Sequence, residues 1–236
     1  MVKTGEQTVG DDTVRDMSDA LTLSIDGTQP LSLAAVRDIT GLCDRAEDRG
    51  EAGTVTLKVS GAPGPDWTDG LTVALVTKWE RALRRLERLP AATVALASGD
   101  CGGQALDAFL AADIRIATRD TRLLLPFDGE STWPGLAMFR LVQLAGSART
   151  RRAVLFGQPV KASEALMLGV ADELTDDLDG AAAATAQRLA GLSGKELAIR
   201  RQLLFDAATT SFEDALGPHL AACDRSLRRT AAEEAA

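Results

Sequence analysis

Apolar positions change their period repeatedly along this chain, and each change marks an element. Leu21, Leu23 and Ile25 alternate with polar residues as in a half-buried strand, and Asp26-Gly27 supplies a turn. From Ser32, which suits a helix N-cap, Leu33, Val36, Ile39, Leu42 and Cys43 recur at helical spacing until Gly50. Residues 55–59 read as a second strand, and 60–70 as a loop rich in Gly, Pro and Asp. A helix over 71–88 follows, with Leu71, Leu75, Val76, Trp79, Leu83 and Leu86 inward and arginines outward. Residues 93–98 are mostly apolar, as a parallel strand covered on both faces requires. The chain then turns at 99–103 into a helix reaching Ala112. Short strands are predicted at 114–117 and 123–125, a loop at 128–135, and helices at 149–156 and 163–168. Beyond Asp179 the chain is Ala-rich and helical in three pieces, broken near 191–194 and Thr210. This order predicts an α/β fold with an appended helical subdomain. The expected parts are a mobile arm at 1–18, a core at 19–178 and a helical oligomerisation subdomain at 179–236.

Composition narrows the chemistry. The 236 residues suffice for one large domain with a real core, and the net charge of −8 excludes nucleic acid or an anionic membrane as main partner. Cys43, Cys101 and Cys223 lie far apart and His219 is the single histidine, so no zinc-type spacing exists. Triad mechanisms would have to use His219, which sits in a late helical segment. No 18-residue apolar run or signal-peptide pattern occurs, which makes the cytoplasm the expected location. Carboxylates, backbone N–H groups or a bound cofactor remain to do chemistry.

The stretch from Val94 to Asp107 carries a strand through a Gly-rich turn into a helix start. Such a start presents free N–H groups to an anion or a developing oxyanion, although glycines also serve tight strand–helix packing. Neither a Walker A loop nor a dinucleotide fingerprint is present. Ser98-Gly99, Ala112-Asp113, Ile114-Arg115-Ile116-Ala117, Leu125-Pro126 and Trp133-Pro134-Gly135 then follow in order. Leu144-Ala145-Gly146, Val154-Leu155-Phe156-Gly157, Ala162-Ser163-Glu164-Ala165 and the 168–173 segment complete the set. Over residues 90–175 this ordered series resembles the crotonase superfamily, the enoyl-CoA hydratase/isomerase group.

The resemblance implies a spiral of strand–strand–helix repeats that binds an acyl-CoA thioester, with coenzyme A arriving on the substrate and no other cofactor. It implies an enolate held by two backbone N–H groups. One is that of Gln104, with Gly103 beside it; the other is Asp69, in Trp67-Thr68-Asp69-Gly70, a segment that also reads as a surface turn. The family's first glutamate aligns with Asp107, which could instead be a first-turn residue complementing the helix dipole. The second aligns with Phe127, and a slip would bring in Asp128 or Glu130. Two of the family's three loop glycines are Gln104 and Ala105 here. Arg88 and Trp67 are the candidates for holding coenzyme A, although Arg81, Arg84, Arg85 and Arg88 could equally form a solvated face. Trp79 reads as core and Cys101 as inert.

Segments 67–70, 77–81, 98–103, 124–128 and 210–215 are similar to one branch of the family. That branch works with a type III polyketide synthase and a second crotonase to make 3,5-dihydroxyphenylacetyl-CoA for the dihydroxyphenylglycine of glycopeptide antibiotics. The branch implies dehydration and aromatisation of a polyketide thioester by a homotrimer or hexamer. Hydration or isomerisation of a simple enoyl-CoA, and non-catalytic activation of the synthase, are the alternatives.

Overall fold

The structure, a computed structural model, describes residues 21–50, 53–192 and 194–234; the arm expected at 1–18 lies outside them. Its first half runs β1 (Thr22–Asp26), α1 (Leu33–Asp48), β2 (Thr54–Gly61), α2 (Val73–Leu86), β3 (Ala92–Gly102), α3 (Gly103–Ala111), β4 (Ile114–Ala117) and β5 (Arg122–Leu124). Then come α4 (Leu136–Ala145), α5 (Ser147–Phe156), β6 (Val160–Lys161), α6 (Ala162–Met167), β7 (Glu173–Leu174), α7 (Leu178–Leu189), α8 (Lys195–Ala207) and α9 (Phe212–Glu234). Side-chain caps set the starts of α1 and α2, among others: Ser32 Oγ accepts the Ala35 N–H at 3.3 Å, and Thr72 Oγ1 accepts that of Leu75 at 3.2 Å.

Strands β1, β2, β3, β4 and β7 form one parallel sheet in that order. β3 is longer than its apolar run, because the expected turn at 99–103 is largely strand. Gly99 adopts φ +61°, open to glycine at no steric cost, and the β2–β3 register slips between Ser60 and Gly61. The bent end, Asp100 to Gly102, keeps one β2 partner, Gly61 opposite Cys101, and pairs in parallel with β5, which pairs antiparallel with β6. That bend delivers the start of α3 to one edge of the molecule.

One sheet face packs on α1, α2 and α3 around Trp79, Leu42, Leu57, Leu83, Leu106 and Phe109. The other face, Val94, Leu96 and Ile116, is covered by Leu178, Ala181, Ala182 and Leu189 of α7. The doubly buried β3 read from sequence therefore has its second cover in α7, so the 179 boundary falls inside a helix that completes the core. α8 is tied down by the buried Arg201, which bonds Asp113 through Nε (2.7 Å) and Nη2 (2.6 Å) and also reaches Leu89 O and Ala91 O. Asp113 simultaneously accepts the Thr93 N–H at 2.9 Å. α4 was not assigned from sequence. No described helix is long and apolar enough to cross a membrane.

Candidate active site

Three backbone segments converge at the start of α3. A Cβ on Gly27 would lie 2.3 Å from Gly61 O and 2.5 Å from Gly102 O, so only glycine lets the β1–α1 turn seat against the bent end of β3. No side chain caps α3, whose first N–H groups have no acceptor within the helix. Gly103, Gln104 and Asp107 border a cleft of about 60 Å³. Trp67 and Trp133 wall it, meeting edge-to-face with centroids 5.2 Å apart, while Trp79 and Glu80 enter from α2.

Asp107 sits on the second turn of α3, enclosed by protein yet bordering this cleft. The Trp79 indole N–H donates to its Oδ2 at 3.0 Å, so Trp79 is both core and a positioning group. Burial, reinforced by the Glu80 charge, pushes the Asp107 carboxyl up to about 7; Arg140 and the indole bond oppose the rise. Such a group is available both as proton donor and as acceptor near neutral pH.

The second carboxyl of the cleft is Glu80. Burial raises its pKa too, against the attraction of Arg140. Arg140 Nη2 lies 2.9 Å from Glu80 Oε2 and its Nε donates to Glu87 at 2.7 Å; Glu87 also pairs with Arg84 at 2.9 Å. The Arg140–Glu80 contact is an ion pair without hydrogen-bond alignment, since Glu80 Oε2 and Arg140 Nη1 have no hydrogen-bond partner. The sequence reading assigned Glu80 no part in the site. Its signal was available: Val76, Trp79, Glu80 and Leu83 follow i, i+3, i+4, i+7 spacing, which places a carboxylate on the buried stripe.

Asp128 and Glu130 do not supply the missing carboxylate. Asp128 is exposed and accepts the Glu130 and Ser131 N–H groups at 2.9 and 2.7 Å, bonds that hold its pKa low. Glu130 is exposed in the same turn, and neither borders the cleft. The slip fails because Phe127 bridges to Thr132, closing this turn on itself. Of the donor candidates, Gly103 and Gln104 are at the cleft, whereas the Asp69 N–H donates to Asp66 O at 3.1 Å and is committed to its turn. Trp67 borders the cleft itself. Arg88 lies elsewhere, with Glu87, Arg201 and Gln202 where α2 meets α8. Arg81 and Arg84 instead line a groove of about 430 Å³ that shares Val76, Glu80 and Trp133 with the cleft. Cys101 is fully buried, with its thiol pushed up by burial and by Asp107 and Asp100, and His219 is exposed on α9.

The sequence profile described as enoyl-CoA hydratase/isomerase matches residues 72–234. The chain belongs to the enoyl-CoA hydratase/isomerase family. It is 55% identical over 215 residues, 91% of this chain and 99% of the relative, to an "Enoyl-CoA-hydratase" of Amycolatopsis orientalis. Two solved structures share the fold. An enoyl-CoA hydratase/isomerase from Marinobacter aquaeolei superposes with TM-score 0.72 at 16% identity, covering 89% of each chain. An enoyl-CoA hydratase from Mycobacterium smegmatis gives 0.72 at 18% identity, covering 87% of this chain and 86% of that one. The crotonase α/β architecture expected from the motifs is thus the one observed, and the chain is an enzyme of hydratase/isomerase type.

Proposed function

We propose that this enzyme removes water from a cyclised polyketide CoA thioester, yielding 3,5-dihydroxyphenylacetyl-CoA. It would act beside a type III polyketide synthase and a second crotonase, as a cytoplasmic homotrimer or hexamer. The carrying observation is Asp107, a carboxyl raised to about 7 on the helix whose uncapped start borders the same cleft.

The thioester oxygen would rest at the Gly103 and Gln104 N–H groups, where the positive end of α3 favours enolate charge. Glu80, beside Arg140, would take the α-proton in its anionic form. Protonated Asp107 would give its proton to the departing β-hydroxyl, so that one water leaves and a C=C bond forms. The tryptophan walls suit a flat ring, and Arg81 and Arg84 stand in the adjoining groove for the phosphates of coenzyme A. A second reading, activation of the synthase without catalysis, draws on the small cleft, about 60 Å³, and on Phe127 at the family's second glutamate.

One assay separates the two: formation of 3,5-dihydroxyphenylacetyl-CoA from malonyl-CoA by the synthase, with and without this chain. Stimulation that Asp107→Asn abolishes is the expected result. Stimulation that survives the substitution makes the chain an activator, and no stimulation removes the pathway assignment.

A further inference from the structure

Gln104 is only 9% exposed and borders the cleft at the first turn of α3. Its Nε2 donates to two backbone carbonyls, Asp26 O at 2.9 Å and Gln29 O at 3.1 Å. Those two acceptors fix the orientation of the amide, because a flip would set oxygen against oxygen. The oxygen is therefore Oε1, and it is a buried acceptor with no partner. Buried amide oxygens are rarely left so, since their desolvation has been paid with nothing in return. The resemblance expects glycine here, so this side chain is a feature of the present chain and not of the loop geometry.

A ligand donor would answer the vacancy. Neighbouring groups narrow its type. Glu80, Asp107 and Gln104 are among the residues that line the cleft, as are Trp67 and Trp133. A carboxylate or phosphate on the acyl group would be repelled there, whereas a hydroxyl would be received.

We infer that Gln104 Oε1 accepts a hydrogen bond from a hydroxyl of the acyl group, so that the cleft selects phenolic or enolic acyl-CoA thioesters over unhydroxylated ones. This rests on the reading of the cleft as an acyl-CoA site. Because the backbone N–H of the same residue faces the thioester oxygen in that reading, the selected hydroxyl lies within a glutamine side chain's reach of the carbonyl. Gln104 is then a specificity-determining residue, with its amide nitrogen spent on holding the β1–α1 turn and its oxygen left for substrate.

Calorimetric titration of the full chain tests this with three thioesters: phenylacetyl-CoA, meta-hydroxyphenylacetyl-CoA and meta-fluorophenylacetyl-CoA, the last matching the hydroxyl's position without a donor. Wild type should bind the hydroxyl compound about tenfold tighter than the other two. Gln104→Met, which keeps length and removes the acceptor, should bring that ratio to about one whatever its absolute affinities. Equal affinities in wild type overturn the inference, as does a folded Gln104→Met protein that retains the preference. Should that variant fail to fold, wild-type binding of meta-aminophenylacetyl-CoA decides: it should follow the hydroxyl compound, and following the fluoro compound overturns the inference. Binding of none of these thioesters sinks the acyl-CoA reading and this one with it, whereas equal binding of all leaves the former standing.

Discussion

Asp107 owes its raised pKa to its surroundings. An aspartate one turn further along an exposed helix would be ionised at neutral pH; here burial and the Glu80 charge outweigh the Trp79 and Arg140 contributions. Each cause can be removed separately. Glu80→Gln deletes the like charge and should lower the Asp107 pKa, while Trp79→Phe deletes the indole bond to the carboxylate and should raise it; side-chain carbon NMR titration reads both. The same shift governs stability. Between the usual aspartate value and about 7 the folded chain holds a proton that the unfolded chain has lost, so stability falls as pH rises through that window. Asp107→Asn should flatten the fall, by an amount on the order of a few kcal/mol, in urea unfolding at pH values across the window. The residue types at 107 and 104 are legible in the sequence, but their protonation and hydrogen-bond satisfaction are not, because both depend on which atoms of distant segments surround them.

Elements with a clear period were read correctly, whereas α4, β6 and β7, which show none, were not. The helical stripe of α1, the doubly apolar β3 and the strand at 114–117 appear where the spacing puts them. α4 escaped because its sequence is apolar nearly all round, with Arg140 as a single charge inside the run. That arginine finds Glu80 and Glu87 only once α2 and α4 are packed together. β6 and β7 are two residues each, too short to show a period. α8 has weak amphipathicity and depends on one anchor instead. Replacing Arg201 by Met would take two guanidinium bonds from the part-exposed Asp113 and the same donor from two carbonyls, and should cost about 1–3 kcal/mol, measured as a lower urea midpoint. Asp113 stands in the chain's family motif, and its partners make it a clamp between β3, β4 and α8.

Across the whole molecule, α8 and α9 leave large apolar side chains in solvent. Leu204 (72%), Phe212 (75%) and Leu227 (71%) are more exposed than an isolated folded chain tolerates in such number, and Leu216 and Leu220 add to them. A homo-oligomer is the expected state in sedimentation, and Leu220→Glu with Leu227→Glu should shift it toward monomer while the core stays folded. The core is independent of this surface because α7 already seals the second face of the sheet.

By itself the sequence determined most of the succession of strands and helices, the glycine-rich entry to α3 and the family, since these follow from local periodicity and from motifs in linear order. It also narrowed the chemistry to carboxylates, backbone N–H groups or a bound cofactor, since one histidine and three scattered cysteines leave little else. Tertiary structure alone decided which carboxylates border the cleft. Glu80 and Asp107 belong to helices separated by the whole of β3, and Asp128, near the expected position in the chain, is turned back on its own backbone. Proximity between two charges arises from packing, and no spacing along a chain encodes it unless one element carries both.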